Sequence, residues 1–509
     1  MRWRNPWGTT AAWVLAALAA WRVACVRSGP DIDTDAYAHH MIARAILADP
    51  SDLGVHWVWL PLFHYLQVPL VALGGTLDDV RFLNVALSAA LPAVLFFYVR
   101  RSTARQIRGP ASIPPGATAC LAAVFAAACP IAMQMGTTAQ PEPLFALLML
   151  GVAITFQDRR YAAAAAMLSA AVMLRYEAWA SLAAIGAMLA IETTGALRRG
   201  ATDRTSLARG WLVVACPAAL ILIWAVLRRP VDGRWFGFLG QTREFATGAT
   251  REHTALDRGW IGLVRDFLDY PIIVPARVFG PVILLVPFGI AKTVREQGGR
   301  FVAVLSACLG FVSLTWILRS SLGLDRHFVV VVALYATFAA QGAAALADRT
   351  ARLTQRLGMT RPFIFVGRAA GGVAAALALA GLATVLQLWM RFWQGSIERG
   401  WPERAAIGAY LRSLPGDATI FCDDATIEIL SGLDRRRFDR HWVDDEHTWT
   451  LIADVAAARG VAYVATWNRK LHGHEGLGAV VFRAGQSEAD PNSGVAAMRV
   501  PPDPPRAER

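Results

Sequence analysis

Apolar runs close to the length of a bilayer crossing recur about eleven times before residue 390. They lie near 9–27, 81–99, 117–135, 142–157, 161–174, 178–192, 211–227, 272–291, 301–318, 328–346 and 369–390. A helix of about 20 such residues spans the hydrocarbon core, and only helices or closed barrels satisfy their own backbone there. The chain therefore reads as an all-α polytopic membrane protein. Run 161–174 is short for a span on its own. With 55% hydrophobic and 17% charged residues, composition agrees. The formal charge of +12 sits in short basic clusters between apolar runs. That pattern sets membrane orientation and speaks against a nucleic-acid partner. Cys25, Cys120, Cys129, Cys216 and Cys308 lie in or beside apolar runs without paired spacing, and Cys422 stands alone, so no disulfide framework or zinc site follows.

With Arg2 and Arg4 in the cytoplasm, the arginine clusters at 100–108, 159–160, 198–209 and 349–368 all fall inside. This requires "WVWLPLFHYLQVPLVALG", residues 57–74, not to cross. Its Pro61, Pro69, His64 and Gln67 fit a half-inserted juxtamembrane segment. Loop 228–270 falls outside although it holds seven arginines; it also holds six acids and is long, so its bias counts for less. Arg22 interrupts the first run and no small-residue cleavage site follows, so that run is an anchor.

After residue 390 the pattern changes. Helix "WPERAAIGAYLRSL", strand "ATIFC", helices "DATIEILSGL" and "TLIADVAAARG" and strand "VAYVATW" predict a small α/β extramembrane domain. The expected division is a transmembrane domain 1–390, containing an acidic loop with juxtamembrane helices at 28–80, an α/β domain 391–490, and a disordered tail 491–509.

In this topology the polar residues gather on one face. They are Asp31, Asp33, Asp35, His39, His40, His56 and His64 from the first loop, then Glu142, then Arg175, Tyr176 and Glu177, and finally Arg319, Asp325, Arg326 and His327. Charges recurring at one depth predict a shared interfacial cavity. Each also has a plainer role. Asp33 or Asp35 caps the helix "AYAHHMIARAIL", yet two or three neighbouring carboxylates exceed what capping requires. His39 and His40 point to different parts of their helix, so at most one faces the cavity. His56 and His64 read as interfacial packing, and Arg175 and Glu177 as either an ion pair or snorkelling ends. Guanidinium groups beside apolar walls also suit a phosphate-linked lipid. A carboxylate can take the proton of an acceptor hydroxyl, and cations can stabilise a departing phosphate.

The ordered series "DTDAYAHHMIARAIL", "WLPLFHYL", "RFLNVALSAALPAVLFFYVRR", "AQPEPLFALLMLGVAITF", "LRYEAW" and "LDRHFVVVVALYATFAAQGAAAL" resembles the GT-C superfamily of polytopic glycosyltransferases, over residues 1–390. Its members include aminoarabinose transferases, protein O-mannosyltransferases and oligosaccharyltransferases. The resemblance implies an inverting enzyme of the bacterial inner membrane. It would move a hexosyl or pentosyl group from a polyprenyl-phosphate-linked donor to a glycan, lipid or protein acceptor at the periplasmic face. Its N-terminus would be cytoplasmic and its α/β domain periplasmic.

By the same resemblance Asp33 activates the acceptor and Asp35 is a second carboxylate. Arg175 and Arg326 hold the donor phosphate, and Glu142, Glu177, His39 and Tyr37 line the substrate. Thr34 stands where many members carry glutamate, which leaves open which aspartate is the base. It also leaves open whether Asp33 and Asp35 hold Mg²⁺ or Mn²⁺. GxGxxG and P-loop signatures are absent, against direct nucleotide use. The alternative, a lipid flippase or transporter, predicts charges at mid-span and repeated halves, whereas here charges gather at span ends and no repeat is evident.

Overall fold

The computed structural model describes residues 6–105, 113–199, 204–250, 259–357, 362–439, 460–467, 478–486 and 494–500. Each of the eleven apolar runs falls on helix. Eight helical segments among these residues are long and apolar enough to cross a membrane: Pro6–Ser28, Leu77–Ala104, Glu177–Arg198, Ala208–Asp232, Gly259–Gln297, Gly299–Ile317, Asp325–Arg356 and Ala369–Arg412. The remaining runs form the shorter helices Pro115–Ala127, Glu142–Gln157 and Tyr161–Val172. The chain is a multi-pass membrane protein. Segment 57–74 yields only the 11-residue helix Leu62–Ala72, ~16 Å long, about half the hydrocarbon thickness.

The chain forms two compact units. One comprises Met1–Arg27, Asp52–Leu66 and Asp79–Gln394; the other comprises Ser28–Ser51, Gln67–Asp78 and Gly395–Arg509.

In the first unit the segment Asp325–Arg356 is the core, with 94% of its most apolar window buried against 22% for Pro6–Ser28. It is rich in alanine and packs against helix Val286–Gln297 through two glycines. A Cβ on Gly289 would lie 1.8 Å from the Phe338 carbonyl oxygen, and one on Gly342 would lie 2.0 Å from that of Leu285. Small residues let backbones approach where lipid supplies no hydrophobic drive. Buried Arg81 and Asn84, three apart on helix Leu77–Ala104, secure the turn before Glu142. Arg81 Nε donates to the Thr137 carbonyl at 2.9 Å, and Asn84 Nδ2 to those of Thr138 and Gln140, both at 2.7 Å. They satisfy carbonyls that the turn leaves without helical partners.

The second unit is built on a five-stranded sheet. Its strands are β1 (Thr419–Cys422), β2 (Phe438–Asp439), β3 (Val461–Trp467), β4 (Ala479–Ala484) and β5 (Val495–Arg499), in the order β2-β1-β3-β5-β4. β1 runs parallel to β2 and β3, and β5 lies antiparallel between β3 and β4. Helices Pro402–Arg412 and Ala425–Ser431 cover a core that includes Ile407, Leu411, Ile420, Ile427 and Val495. The α/β architecture expected after residue 390 is present. It extends further than expected, because residues 495–499, within the stretch read as a disordered tail, form β5. Val495 to Met498 are buried, and an apolar strand between two others buries both faces. The helix expected from "TLIADVAAARG" falls at 450–459, outside the described residues, as do 501–509.

Helix Thr34–Ala48, which carries the acidic motif, belongs to this unit. It packs on helix Ala425–Ser431, and Arg44 donates to the Leu433 carbonyl at 2.8 Å.

Candidate active site

In the first unit three helix starts bring five ionisable side chains together. Glu142 opens helix Glu142–Gln157 and Glu177 opens helix Glu177–Arg198; a carboxylate at a helix N-terminus is favoured by the backbone dipole. Pro141 and Pro143 flank Glu142, where a missing N–H has no helical partner to lose. Arg175 lies between the two carboxylates. Its Nη1 donates to Glu142 Oε1 at 2.6 Å and its Nη2 to Glu177 Oε1 at 2.8 Å. Its Nε reaches both Glu177 oxygens, at 3.1 and 3.2 Å. From the turn Asp325–Val331, Arg326 Nε lies 3.7 Å from Glu142 Oε1, and His327 Nδ1 lies 3.5 Å from Glu177 Oε1. Burial works against the Arg175 charge, but the carboxylates of Glu177 and Glu142 outweigh it and hold its pKa above the ordinary value.

Two guanidinium groups face two carboxylates, with the His327 imidazole beside them. Glu142 Oε2 is buried without a hydrogen-bond partner among the described residues. An acceptor oxygen in that state is costly unless a ligand or water satisfies it. Arg101 pairs with Asp158 and Arg300 with Glu192, so the far ends of helices Glu142–Gln157 and Glu177–Arg198 carry their own ion pairs. The five-residue cluster belongs to one end of the bundle.

In the second unit the acidic motif forms a relay of turns. Asp31 Oδ1 accepts the Asp33 N–H at 3.0 Å, and Asp33 Oδ1 accepts the Asp35 N–H at 3.1 Å. Asp33 is thus the N-cap of helix Thr34–Ala48, the plainer role foreseen for one of the aspartates, with one oxygen engaged in it. Asp33 and Asp35 are half-buried, while Asp31, Tyr37, His39 and His40 are buried. The Tyr37 hydroxyl donates to the Asp31 carbonyl at 2.8 Å. Among the described residues no three His, Cys, Asp or Glu side chains gather as metal ligands. Asp33 and Asp35 alone, one already acting as a cap, do not make an oxygen cage for Mg²⁺ or Mn²⁺.

Other residues of the sequence reading go elsewhere. Arg319 forms a buried pair with Asp266 at 2.7 Å and lies over the Trp316 ring. Asp325 pairs with Arg277. Tyr176 donates to the Val58 carbonyl at 2.9 Å. His56 and His64 meet through their Nδ1 atoms at 2.8 Å, beside Trp224, so they are packing residues sharing one proton position. Burial, and secondarily Arg228, lowers the His56 pKa to about 3. Between its ordinary 6.5 and that value the unfolded chain holds a proton that the folded chain does not. Stability from this site is therefore complete above pH ~6.5 and falls as the solution is acidified, by up to about 1.4 kcal/mol per pH unit. Thermal unfolding in detergent from pH 7 to 5 is expected to give a shallower pH slope for His56→Gln than for wild type. Equal slopes would remove His56 from the acid response.

Sequence reasoning missed Arg81 and Asn84 as the residues that hold the Glu142 turn. Their only signal was two polar side chains three apart at the start of a span.

The sequence matches no protein-family model and no curated protein. The fold does have solved counterparts. ArnT from Cupriavidus metallidurans, solved bound to undecaprenyl phosphate, is 12% identical and aligns with a TM-score of 0.59 over 96% of this chain and 97% of that one. The chain shares the fold of that protein. The archaeal oligosaccharyltransferase AglB from Archaeoglobus fulgidus, solved with an inhibitory peptide and a dolichol-phosphate, is 11% identical. It aligns with a TM-score of 0.52 over 91% of this chain and 70% of that one. At these identities the likeness is one of fold alone.

Proposed function

We propose that the chain is an inverting glycosyltransferase that moves a sugar from a polyprenyl-phosphate-linked donor to an acceptor at the periplasmic face of the bacterial inner membrane. The observation that carries this reading is the meeting of Arg175 and Arg326 with Glu142 and Glu177 at one end of an apolar bundle of GT-C fold. Guanidinium groups match phosphate geometry and keep their charge in a partly dry site. The donor phosphate exchanges with part of the carboxylate contacts, and its lipid tail lies among the apolar helices. The acceptor hydroxyl attacks the anomeric carbon from the face opposite the phosphate, and its proton passes to the Asp33 carboxylate. The carbon–oxygen bond to phosphate breaks, the electron pair leaves with the phosphate, and Arg175 and Arg326 stabilise that charge. Arginine placement favours a cytoplasmic N-terminus.

The test supplies purified protein with radiolabelled polyprenyl-phosphate hexoses and pentoses and an envelope extract as acceptor source. Wild type is expected to transfer label, Asp33→Asn to lose transfer while still binding donor lipid, and Asp35→Asn to retain part of it. An active Asp33→Asn chain would remove Asp33 as the base. No transfer from any donor by wild type would remove the enzyme reading.

A further inference from the structure

We infer that Trp401 and Arg404, at the start of helix Pro402–Arg412, are positioning residues for the acidic motif, holding the Asp31 carbonyl and through it the backbone that presents Asp33. The catalytic consequence rests on the function proposed above; the structural one does not.

The Asp31 carbonyl accepts two hydrogen bonds, from Trp401 Nε1 and from the Tyr37 hydroxyl, each at 2.8 Å. Both lone pairs of that oxygen are thereby engaged, which fixes the peptide plane between residues 31 and 32. Beyond that plane the Asp31 side chain accepts from the Asp33 N–H, and Asp33 in turn from that of Asp35. A rotation at residue 31 therefore travels directly to residue 33. The preceding residues have no room to adjust. A Cβ on Gly29 would stand 2.6 Å from the Ile397 carbonyl oxygen, and one on Gly400, whose φ is +55°, would stand 3.0 Å from Pro30 Cγ. Residues 29–31 are seated directly on residues 397–401.

Trp401 is itself held. The Arg404 guanidinium lies 3.8 Å from the centre of its ring, a close cation–π contact. Arg404, buried beneath it, donates from Nε to Asp424 Oδ2 at 2.9 Å. Asp424 follows β1 and caps helix Ala425–Ser431 through its other oxygen, which accepts the Thr426 N–H at 2.8 Å. A continuous line of contacts thus runs from the end of β1 through Asp424, Arg404 and Trp401 to Asp31. The α/β domain thereby sets the orientation of the acidic motif.

Trp401→Phe keeps an aromatic ring beside Arg404 and removes the Nε1 donor together with part of the indole. In full-length protein, hydrogen exchange of the amides at 31–37 is expected to rise several-fold. Amides of β1 and helix Ala425–Ser431 should keep wild-type protection, a pattern that general destabilisation would not give. If the chain transfers sugar, kcat should fall roughly tenfold to a hundredfold with KM for the donor unchanged. Arg404→Lys, which loosens the Trp401 ring without removing its donor, should give the same pattern more weakly; it decides the matter if Trp401→Phe disturbs the sheet. Wild-type exchange at 31–37 in a variant with an intact sheet would overturn the inference. Absence of transfer in wild type with raised exchange in Trp401→Phe would leave the positioning role standing and remove the enzyme reading alone.

Discussion

An Arg175→Gln chain is expected to lose transfer altogether and to unfold about 3–5 kcal/mol more easily than wild type, the usual consequence of leaving buried charge without its partner. The magnitude follows from geometry. Arg175 supplies four contacts within 3.2 Å to Glu142 and Glu177, both nearly inaccessible to solvent. Its removal strands both carboxylates, with Arg326 and His327 too distant, at 3.7 and 3.5 Å, to replace those hydrogen bonds. Arg175→Lys should behave differently. A lysine keeps the charge but cannot span two carboxylates with a planar fork, so most of the stability should return while transfer stays impaired. Unfolding in detergent, combined with donor-lipid binding, separates these effects. An Arg175→Gln chain as stable as wild type would mean that the two carboxylates are solvated, contrary to their burial.

Gly289→Ala should be the most damaging small substitution in the bundle, costing about 3 kcal/mol or more by overpacking. In a helix, glycine to alanine ordinarily stabilises, by up to about 1 kcal/mol. The sign reverses here because the new methyl group would occupy the space of the Phe338 carbonyl, 1.8 Å away. Gly310 and Gly372 are internal controls, since a Cβ on either meets nothing within 4 Å. Melting temperatures in one detergent should place Gly310→Ala and Gly372→Ala at or above wild type and Gly289→Ala far below it. If all three matched wild type, the close approach of helices Val286–Gln297 and Val332–Arg356 would be wrong.

The spans were legible because bilayer length and hydrophobicity are local properties, readable in a window of residues. So was a cap by Asp33 or Asp35, a relation between neighbours, which the structure assigns to Asp33. The partners of Arg175 divided along the same line. Glu177, two residues away, was visible as an ion-pair candidate, while Glu142, 33 residues earlier, was recognisable only as a charge at the start of another span. Arg319, placed in sequence on the same face as Arg326 but not assigned to the phosphate, turns to Asp266 in a buried ion pair, and its backbone has a positive φ of 52°. More distant still is the bond between Trp401 and Asp31, across 370 positions. No periodicity or motif announces a contact of that kind. The tail was misjudged for a related reason: Val495 to Met498 are too few to signal a strand unless the neighbours that pair with them are known.

Residues 328–345 of the segment Asp325–Arg356 are enclosed by protein, while Pro6–Ser28 faces mostly outward. The two therefore tolerate change by different rules. A lipid-facing position asks only that a side chain be apolar, so leucine, phenylalanine or valine serve alike. Along the enclosed helix shape decides, and enlarging Ala336, Ala339, Ala340 or Ala343, each almost fully buried, would raise hydrophobicity and still be rejected. Measured by mutational scanning, the bundle should divide into a permissive sheath and a strict axis, with the strict positions marking the helix around which the others are arranged.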